Sequence, residues 1–494
     1  MGEQQHLLMQ RSVNMKAITD NFAPEKFETK GIVQIGGKEV PYQIISEDNL
    51  VSDKEGHPVG SIFTFTYLGE GNDSSRPVLF AFNGGPGSAS VWLHLGLLGP
   101  HRVVLDREGI APPTCPPYLI EDNPFCILDT CDVVLMDPVG TGFGVLIEQE
   151  AAEEMYSVEG DCAAFCSVIE RWLIRYDRWQ SPKYIVSESY GTVRAAVLAD
   201  MLTGRSSDRL YAISIDGLVF MGNAVGISGL NKNPVYSEVL ELPSMAATKW
   251  YHDQKKEQSL EDVIAEAYAF AGTEYLTALF AGDTLTSECI QKIAKRLCRF
   301  TGLSEEYFCE HHLRVEMNDF LRMLLREKRL DVGLYDGRYT MPVEVSIGTP
   351  VPVGDDPSMG KYCPAFTHAM NGEIRKKLGI HFDRTYTGIS FQIGARWKYE
   401  GGEKTFAQHL SSAMRRNSNT RLFLASGCYD LITVMGAARY VAAHAGLPQD
   451  RVWIREYPSG HMPYLGDESA SALANDLRTF ILGKCEPNSM AAFK

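Results

Sequence analysis

The sequence lacks an excess of basic residues and any dense basic tract. Its 494 residues include 47 Lys and Arg against 62 Asp and Glu, which gives a formal net charge of −15. Surfaces that bind nucleic acids or anionic membranes are positively charged, so we expect neither partner. No stretch reaches the roughly 20 apolar residues that span a bilayer, and the first residues lack the basic and apolar regions of a secretory signal. We therefore expect a soluble, cytoplasmic protein.

Cysteines are few, odd in number and not arranged around short loops. The 11 cysteines are scattered, several of them in apolar runs such as FCIL at residues 125–128. A disulfide-stapled secreted domain would space paired cysteines through a short chain. The pattern instead predicts buried thiols in a reducing compartment. Hydrophobic residues make up 45% of the chain, which is enough for a large buried core.

Short β-favouring runs that alternate with helical patterns indicate an α/β protein. From residue 31 to about 69, alternating stretches broken by turn residues predict antiparallel strands joined by hairpins. Later apolar runs suit strands that are buried on both faces of a parallel sheet. These runs are PVLFAFNGG, DVVLMDPVG, KYIVSES, AISIDGLVFMGN, RLFLASG and RVWIREYPSG. Their alternation with helices predicts a mostly parallel central sheet preceded by antiparallel strands.

Helical periodicity replaces the β pattern between residues 226 and 384. This block predicts a mainly helical cap, inserted into a core formed by residues 31–225 and 385–484. The Pro- and Gly-rich residues 346–370 predict an ordered loop that returns to the core. Residues 1–30 predict a loosely docked N-terminal arm, and residues 485–494 a C-terminal tail.

A serine follows one of the predicted strands in the context of a nucleophile elbow. The run KYIVSES passes through Ser189, Tyr190 and Gly191 directly into a helical pattern. This strand–turn–helix arrangement exposes a serine hydroxyl at the end of a sheet. The common pattern has glycine where Ser187 stands, and the same residues taken alone would also suit a helix N-cap.

An aspartate and a histidine follow two further predicted strands. Asp430 comes after RLFLASG, and His461 comes after RVWIREYPSG. The order Ser189, Asp430, His461 is the order of the α/β-hydrolases. A serine hydroxyl needs an imidazole to take its proton and a carboxylate to orient that imidazole. Asp430 as a helix cap and His461 as an ordinary histidine are the alternatives, but three such residues at strand ends favour a catalytic triad.

A glycine-rich loop follows the run VLFAF and can bind a negative atom. Its residues 83–88 read NGGPGS, in which three glycines and a proline form a stiff loop with available amide groups. A phosphate-binding loop would require a Lys-Ser/Thr pair opening a helix, and a nicotinamide-dependent oxidoreductase would require GxGxxG. Neither is present here, which leaves an oxyanion hole or a plain tight turn. We favour the oxyanion hole, with the amides of Gly85 and Tyr190 as donors.

These motifs together resemble the serine carboxypeptidase family of the α/β-hydrolases, in particular its intracellular and bacterial-type members. They run in the family's order over about residues 35–480: FNGGPGSAS (82–90), DPVGTGFG (137–144), SESYGT (187–192), MGN (221–223), GCYD (427–430) and SGHM (459–462). The resemblance implies an α/β-hydrolase fold with a helical cap. It also implies that Ser189, Asp430 and His461 form the triad.

The resemblance further implies how a peptide's C-terminal carboxylate is bound. In the family, the Asn of NGGPG and the Glu before the nucleophile contact this carboxylate. The resemblance assigns these two roles to Asn83 and Glu188, and it adds Gly84, the neighbour of Asn83, to the substrate-binding residues. A second glutamate of the family is replaced by Leu97 and a common tryptophan by Ala81. A protonated Glu188 can donate a hydrogen bond to a carboxylate, whereas an ionised one repels it. Exopeptidase activity should therefore fall as the pH rises through the titration of Glu188.

Few other residues indicate binding chemistry. Arg338, in the segment YDGR, could pair with a substrate carboxylate, although a surface arginine in a turn is equally consistent with the pattern. The pair His311-His312 lacks the HExxH spacing of a zinc site, and Cys162 with Cys166 has no companion ligands. We therefore expect no metal and no cofactor.

The sequence as a whole predicts a serine hydrolase that forms an acyl-enzyme, most simply a carboxypeptidase acting on peptides. The same triad could serve an acyltransferase, a peptide cyclase or a hydrolase of small amides and esters. A non-catalytic binding protein is the remote alternative. The substrate is then a peptide or a small acyl compound, and the oligomeric state stays open, a homodimer included.

Overall fold

The computed structural model describes residues 22–70, 73–105, 115–204, 209–226, 234–343, 355–399 and 404–484. The predicted C-terminal tail and most of the predicted N-terminal arm lie outside the described residues. The last part of the arm belongs to the core, because the first strand begins at Lys26.

The described strands form one large sheet and two small ones. The strands are β1 (Lys26–Ile35), β2 (Lys38–Ser52), β3 (Pro58–Gly69), β4 (Val78–Phe82), β5 (His101–Val103), β6 (Ile120–Asp122), β7 (Asp132–Asp137), β8 (Val145–Leu146), β9 (Lys183–Glu188), β10 (Gly217–Met221), β11 (Leu330–Val332), β12 (Thr340–Pro342), β13 (Arg421–Gly427) and β14 (Val452–Tyr457). The ten-stranded sheet has the order β1-β2-β3-β7-β4-β9-β10-β13-β14, with β8 beside β3. Two pairs, β5 with β6 and β11 with β12, stand apart from it.

The large sheet changes from antiparallel to parallel at β7. Strands β1, β2 and β3 pair antiparallel, and β3 pairs antiparallel with β7. From β7 through β4, β9, β10 and β13 to β14, every neighbouring pair is parallel. The β1–β2 hairpin turns at Gly36 and Gly37, whose φ angles of 56° and 76° suit a two-residue turn with two positive φ values. The predicted α/β class, a mostly parallel sheet after antiparallel strands, is confirmed.

The continuous apolar runs are explained by burial on both faces of the sheet. In β4, Leu79 and Ala81 belong to the hydrophobic cluster on one face, whereas Val78, Phe80 and Phe82 belong to the cluster on the other. Successive side chains of a strand point to opposite faces. A strand covered by helices on both sides therefore has no polar positions to alternate with.

The described helices cover these two faces and build a separate layer above the sheet. They are α1 (Val91–Leu93), α2 (Ala152–Met155), α3 (Val158–Arg175), α4 (Tyr190–Thr203), α5 (Pro234–His252), α6 (Leu260–Phe270), α7 (Leu276–Ala281), α8 (Ser287–Thr301), α9 (Glu305–Glu310), α10 (Met317–Met323), α11 (Met359–Ala369), α12 (Arg375–Lys377), α13 (Phe391–Arg396), α14 (Phe406–Arg416), α15 (Met435–His444) and α16 (Asp467–Ile481). Five-residue π-helical segments adjoin α1, α6 and α11 (His94–Leu98, Ala271–Tyr275 and Met370–Ile374).

Helices α5 to α10 pack around a core of their own, which includes Phe270, Leu297 and Phe320. Leu431, in the loop after β13, belongs to the same cluster. Helix α5 also lies close against α15, because a Cβ on Gly436 would be 2.2 Å from the carbonyl oxygen of Leu240. The helical layer thus packs against the loop that follows β13.

One element of the sequence analysis is wrong. Residues 346–370 were expected to form an ordered loop that returns to the core. Residues 346–354 lie outside the described residues, but Met359–Ala369 is a helix with Pro364 inside it. Its start is capped by Asp356, which accepts hydrogen bonds from the amides of Ser358 at 2.9 Å and Met359 at 3.1 Å. Tyr362, Phe366 and Ala369 are buried at helical spacing and hold it against the core. Tertiary packing thereby outweighs the local effect of the proline.

Candidate active site

Ser189 lies on a strained turn between β9 and α4. Its φ is 60° and its ψ is −134°, a backbone conformation that side-chain-bearing residues rarely adopt. The Ser189 amide donates to the Met221 carbonyl at the end of β10, at 2.9 Å, and holds the turn in place. The side chain is half-buried and faces a pocket at the carboxyl end of the sheet. This is the geometry of a nucleophile elbow.

Ser187 stands where the common elbow pattern has glycine, and the fold accommodates it. Its side chain is buried, and the hydroxyl donates to the Val219 carbonyl at 3.3 Å. Gly191, two residues after Ser189, has little space for a side chain, since a Cβ there would lie 3.0 Å from the Asn83 carbonyl oxygen. The close approach of the NGGPG loop therefore requires Gly191 rather than a glycine at 187.

His461 and Asp430 lie side by side at the next two strand ends. Nδ1 of His461 is 2.9 Å from Oδ2 of Asp430, and both side chains are buried. Burial alone would lower the pKa of His461, but the Asp430 carboxylate, with Glu188 and Asp356 adding, raises it above its ordinary value. The histidine is thereby held with one nitrogen on a carboxylate, the state in which the other nitrogen can exchange a proton.

The turn at Met221-Gly222 brings Ser189 and His461 to one place. The Ser189 amide binds the Met221 carbonyl, and a Cβ on Gly222 would lie 3.2 Å from two atoms of the His461 ring. Gly222 has a φ of 56°. The imidazole therefore packs against the backbone that anchors the serine, and only glycine fits between them.

Thr433 also contacts this pair and was not predicted from the sequence. Its hydroxyl donates to Oδ2 of Asp430 and lies 2.9 Å from Nδ1 of His461. The amides of Ile432 and Thr433 donate to Oδ1 of Asp430, at 3.0 Å and 2.9 Å. The turn after β13 thus saturates the Asp430 carboxylate and orients it toward the imidazole. Thr433 is a positioning residue for His461.

Thr433→Val is expected to lower kcat about 10-fold while KM changes little. Valine keeps the shape of the side chain but removes a hydrogen bond to a charged group, which is worth about 1.5–3 kcal/mol. Steady-state kinetics separates kcat from KM, and Thr433→Ser, which keeps the hydroxyl, should restore kcat. Equal rates for valine and threonine would exclude the positioning role.

The NGGPG loop packs directly on the elbow. Gly85, with a φ of 101°, is exposed and lines the same pocket as Ser189 and Tyr190. Gly84 lies behind it, where a Cβ would be 2.4 Å from the amide nitrogen of Tyr190. The structure therefore places Gly85 and Tyr190 together beside Ser189, as an oxyanion hole requires. Gly84, expected among the substrate-binding residues, is a close-packing position beneath them.

Asn83 and Glu188 form a hydrogen-bonded cluster with a third residue, Tyr464. Nδ2 of Asn83 donates to Oε1 of Glu188 at 2.8 Å, and the Tyr464 hydroxyl donates to Oε2 at 2.7 Å. Burial raises the pKa of Glu188 to about 7, although His461 and the two hydrogen bonds act in the opposite direction. Glu188 can therefore carry a proton at weakly acidic pH, immediately before the nucleophile in the chain.

Leu97 and Ala81, which replace polar or aromatic residues of the resembled family, are both fully buried in the core. In the described part of the chain, no second carboxylate is hydrogen-bonded to Glu188, and Tyr464 donates to Oε2 instead. The Tyr464 ring packs on Gly96, where a Cβ would lie 2.4 Å from it. Neither motif nor spacing in the sequence distinguished this tyrosine.

Arg338, considered for carboxylate binding, does not line the pocket. Its guanidinium is buried against Asp336 at 2.6 Å and also donates to the Pro458 carbonyl and the Ser459 hydroxyl, each at 3.2 Å. A buried arginine with a carboxylate partner is already neutralised. Arg338 thus stabilises the turn that precedes His461.

The pocket beside Ser189 has a volume of about 550 Å³. Its wall comes from α4, α5, the start of α14, α15 and the 431–434 loop, with Gly85, Ala224 and Tyr399 completing it. Leu240, Phe406, Leu431 and Ile432 make the wall largely apolar. A cavity of this size accommodates a peptide side chain and part of its backbone.

No group of His, Cys, Asp and Glu suited to a metal ion occurs among the described residues. Within the same residues, no helix is long and apolar enough to cross a membrane. The site combines a serine on a strained turn, an imidazole hydrogen-bonded to a carboxylate, and backbone amides beside the serine.

Comparison with known proteins gives one family model and several solved structures that match this chain. A family model described as serine carboxypeptidase matches residues 54–472. Among solved structures, Kex1(delta)p, a prohormone-processing carboxypeptidase from Saccharomyces cerevisiae, is 14% identical, with 89% of this chain and 91% of that chain covered and a TM-score of 0.55. A thermostable carboxyl esterase from Bacillus coagulans is 10% identical, with 89% and 98% covered and a TM-score of 0.37. No curated protein sequence matches significantly.

The likeness to the yeast structure concerns the fold, which is that of the α/β-hydrolases. The family model extends from the turn between β2 and β3 into the last described helix and so includes both the strand ends that carry the site and the helical layer above them.

Proposed function

The chain belongs to the serine carboxypeptidase family and is a serine-type carboxypeptidase, and from that premise we propose that Ser189 is the nucleophile that removes C-terminal residues from peptides. His461 serves as general base and acid, and Asp430 orients it. The amides of Gly85 and Tyr190 stabilise the oxyanion. The strained elbow and the 2.9 Å contact between His461 and Asp430 support these roles.

The reaction proceeds in two acyl-transfer steps. Oγ of Ser189 bonds to the carbonyl carbon while His461 takes the hydroxyl proton, and the C–N bond then breaks as His461 returns that proton to the leaving amine. A water molecule next gives its proton to His461 and attacks the acyl-enzyme. Breakdown of the second tetrahedral intermediate releases the shortened peptide and restores the Ser189 hydroxyl.

The observation that carries the exopeptidase assignment is the cluster of Asn83, Glu188 and Tyr464. Glu188 directly precedes the nucleophile, is buried and has its pKa raised to about 7 by that burial. When it is protonated it can donate to a substrate carboxylate, and Asn83 supplies an amide beside it. A hydrolase without carboxylate recognition would have no need of a neutral acid at this position.

Paired substrates that differ only at the C-terminus test this assignment. A blocked dipeptide such as benzyloxycarbonyl-Phe-Ala with a free carboxylate should be cleaved at least about 100-fold faster than its C-terminal amide at pH 6, since a charged hydrogen-bond partner is lost in the amide. Equal kcat/KM for the two compounds would overturn the exopeptidase assignment.

The activity on free-carboxylate substrates should fall above about pH 7, because Glu188, with its pKa raised to about 7, loses its proton there and then repels the substrate. Glu188→Gln is expected to remove this alkaline limb, since the glutamine amide donates at every pH. The kcat/KM profile from pH 5 to 9 for wild type and variant measures the effect.

The ethyl ester of the same dipeptide is the matched control, since its uncharged terminus should give wild type no alkaline fall. Asn83, Tyr464, His461 and Asp430 are the groups that act on Glu188, and all are present in both proteins. An identical alkaline limb in wild type and in Glu188→Gln would assign that limb to another group.

We also propose that the enzyme works in a reducing compartment, the cytoplasm. All ten cysteines of the described residues are free thiols, which supports this environment. Peptides are its partners under this proposal, and its acidic net charge of −15 argues against nucleic acids.

A further inference from the structure

The pocket beside Ser189 contains a single charged side chain among the described residues that line it. This residue is Glu241, which projects from α5 into an otherwise largely apolar wall. Helix α5 is held in place beside the pocket by its close contact with α15, where a Cβ on Gly436 would lie 2.2 Å from the carbonyl oxygen of Leu240. The carboxylate therefore belongs to a fixed wall of the site and not to a loose loop.

The carboxylate of Glu241 makes no hydrogen bond or ion pair with any described residue. The contrast with Glu238, one turn earlier on α5, is informative. Glu238 binds Arg314 at 2.6 Å and the Tyr275 hydroxyl at 3.0 Å. Burial raises the pKa of Glu241 to about 8, and the charges of Glu238 and Glu316 add to the effect. A half-buried carboxylate without a partner is costly unless it takes up a proton or a cation.

Under the proposed function, the pocket lies on the acyl side of the scissile bond. Asn83 and Glu188, which bind the terminal carboxylate in the proposed function, are not among its lining residues. A substrate whose last residue lies toward Glu188 places the preceding residue, whose carbonyl Ser189 attacks, on the other side of the nucleophile. That residue's side chain then enters the pocket.

We propose that this pocket selects an acyl-side residue with a cationic side chain, lysine or arginine, and that Glu241 is the residue that recognises it. The apolar wall of Leu240, Phe406 and Ile432 matches the aliphatic stem of such a side chain, and the carboxylate pairs with its charged end. A neutral side chain would leave Glu241 without a partner among the described residues. The proposal rests on the proposed function only for the direction in which the peptide lies.

Matched dipeptides test the selection. Benzyloxycarbonyl-Lys-Ala and benzyloxycarbonyl-Met-Ala differ in charge but little in length, and their kcat/KM ratio at one pH cancels the titration of Glu188. The ratio is measured at pH 8.5, where Glu241, with its pKa raised to about 8, is mostly ionised. Wild type should favour lysine about 10-fold to 100-fold, as expected for a charged hydrogen bond. Glu241→Gln should bring the ratio close to one, and the methionine substrate should be cleaved as before.

Glu261→Gln is the control variant, because it removes one negative charge from an exposed position on α6 and should leave the ratio unchanged. A ratio that is the same in wild type and in Glu241→Gln would overturn the proposal. If Glu261→Gln lowered the ratio as much as Glu241→Gln, the selection would reflect net charge and the proposal would also fail.

Active-site labelling separates this proposal from the carboxypeptidase assignment. Diphenyl phosphonates that carry a lysine-like or a methionine-like side chain react with the serine nucleophile and have no terminal carboxylate. A faster reaction of the lysine-like compound, lost in Glu241→Gln, would support the pocket even if no dipeptide were cleaved. Equal labelling rates for both compounds in wild type would overturn it even if dipeptides were cleaved.

Discussion

Replacing Ser189 with alanine is expected to lower kcat for peptide hydrolysis about a million-fold, because no acyl-enzyme can then form. Alanine adopts the strained φ of 60° no more readily than serine, so the elbow should keep its geometry. The buried neighbours of residue 189, including Glu188 and Ser187, are untouched. The loss should therefore be purely catalytic, with an unchanged thermal unfolding midpoint.

Labelling with a fluorophosphonate identifies the nucleophile independently of the substrate. Wild type should become labelled at Ser189, and Ser189→Ala should not be labelled. Hydrolysis by Ser189→Ala within 100-fold of the wild-type rate would mean that another residue attacks the peptide. Absence of labelling in folded wild-type protein at several pH values would argue against any working nucleophile.

Asp430→Asn is expected to lower kcat about ten-thousand-fold with little change in KM. Asparagine nearly matches aspartate in shape and can still accept the amides of Ile432 and Thr433, so the loop should hold. It cannot keep the His461 ring in the tautomer that accepts the serine proton, and it removes the charge that stabilises the imidazolium. The pKa of His461 should also fall, because Asp430 is the main charge that raises it.

The acidic limb of the kcat profile provides the check on this interpretation. It should move to lower pH in Asp430→Asn, because the Asp430 carboxylate no longer raises the pKa of His461. Circular dichroism and thermal unfolding of the variant should match those of wild type. A loss of less than about 10-fold in kcat in the folded variant would remove Asp430 from the mechanism.

The sheet could be predicted because burial on both faces leaves a plain signal in the sequence. Runs such as VLFAF at residues 78–82 are uniformly apolar, and the structure divides their side chains between two cores. The helix Met359–Ala369 was missed because Pro364 and nearby glycines suggested a loop. What stabilises it is a cap on Asp356 and buried contacts with distant residues, and neither is visible in local composition.

The candidate catalytic residues could be predicted because each follows a strand, and parallel strands end at one edge of the sheet. The side chains that contact these residues could not be predicted. Tyr464 bonds to Glu188 across 276 residues, and Glu241 comes from a helical layer whose fold the sequence left open. For Arg338 the sequence suggested a function that the structure does not support. Its motif is consistent with carboxylate binding, but the arginine is already paired with Asp336. Side-chain partners depend on packing between distant segments, which no single stretch of sequence specifies.

Mass spectrometry of a mixed peptide pool, incubated with wild type or Ser189→Ala at pH 5.5 and pH 7.5, is the most direct measurement. We expect stepwise loss of C-terminal residues by wild type alone. An intact pool, in wild-type enzyme that still accepts a fluorophosphonate at Ser189, would contradict the assignment. The activated serine would then have to act on a different class of acyl compound.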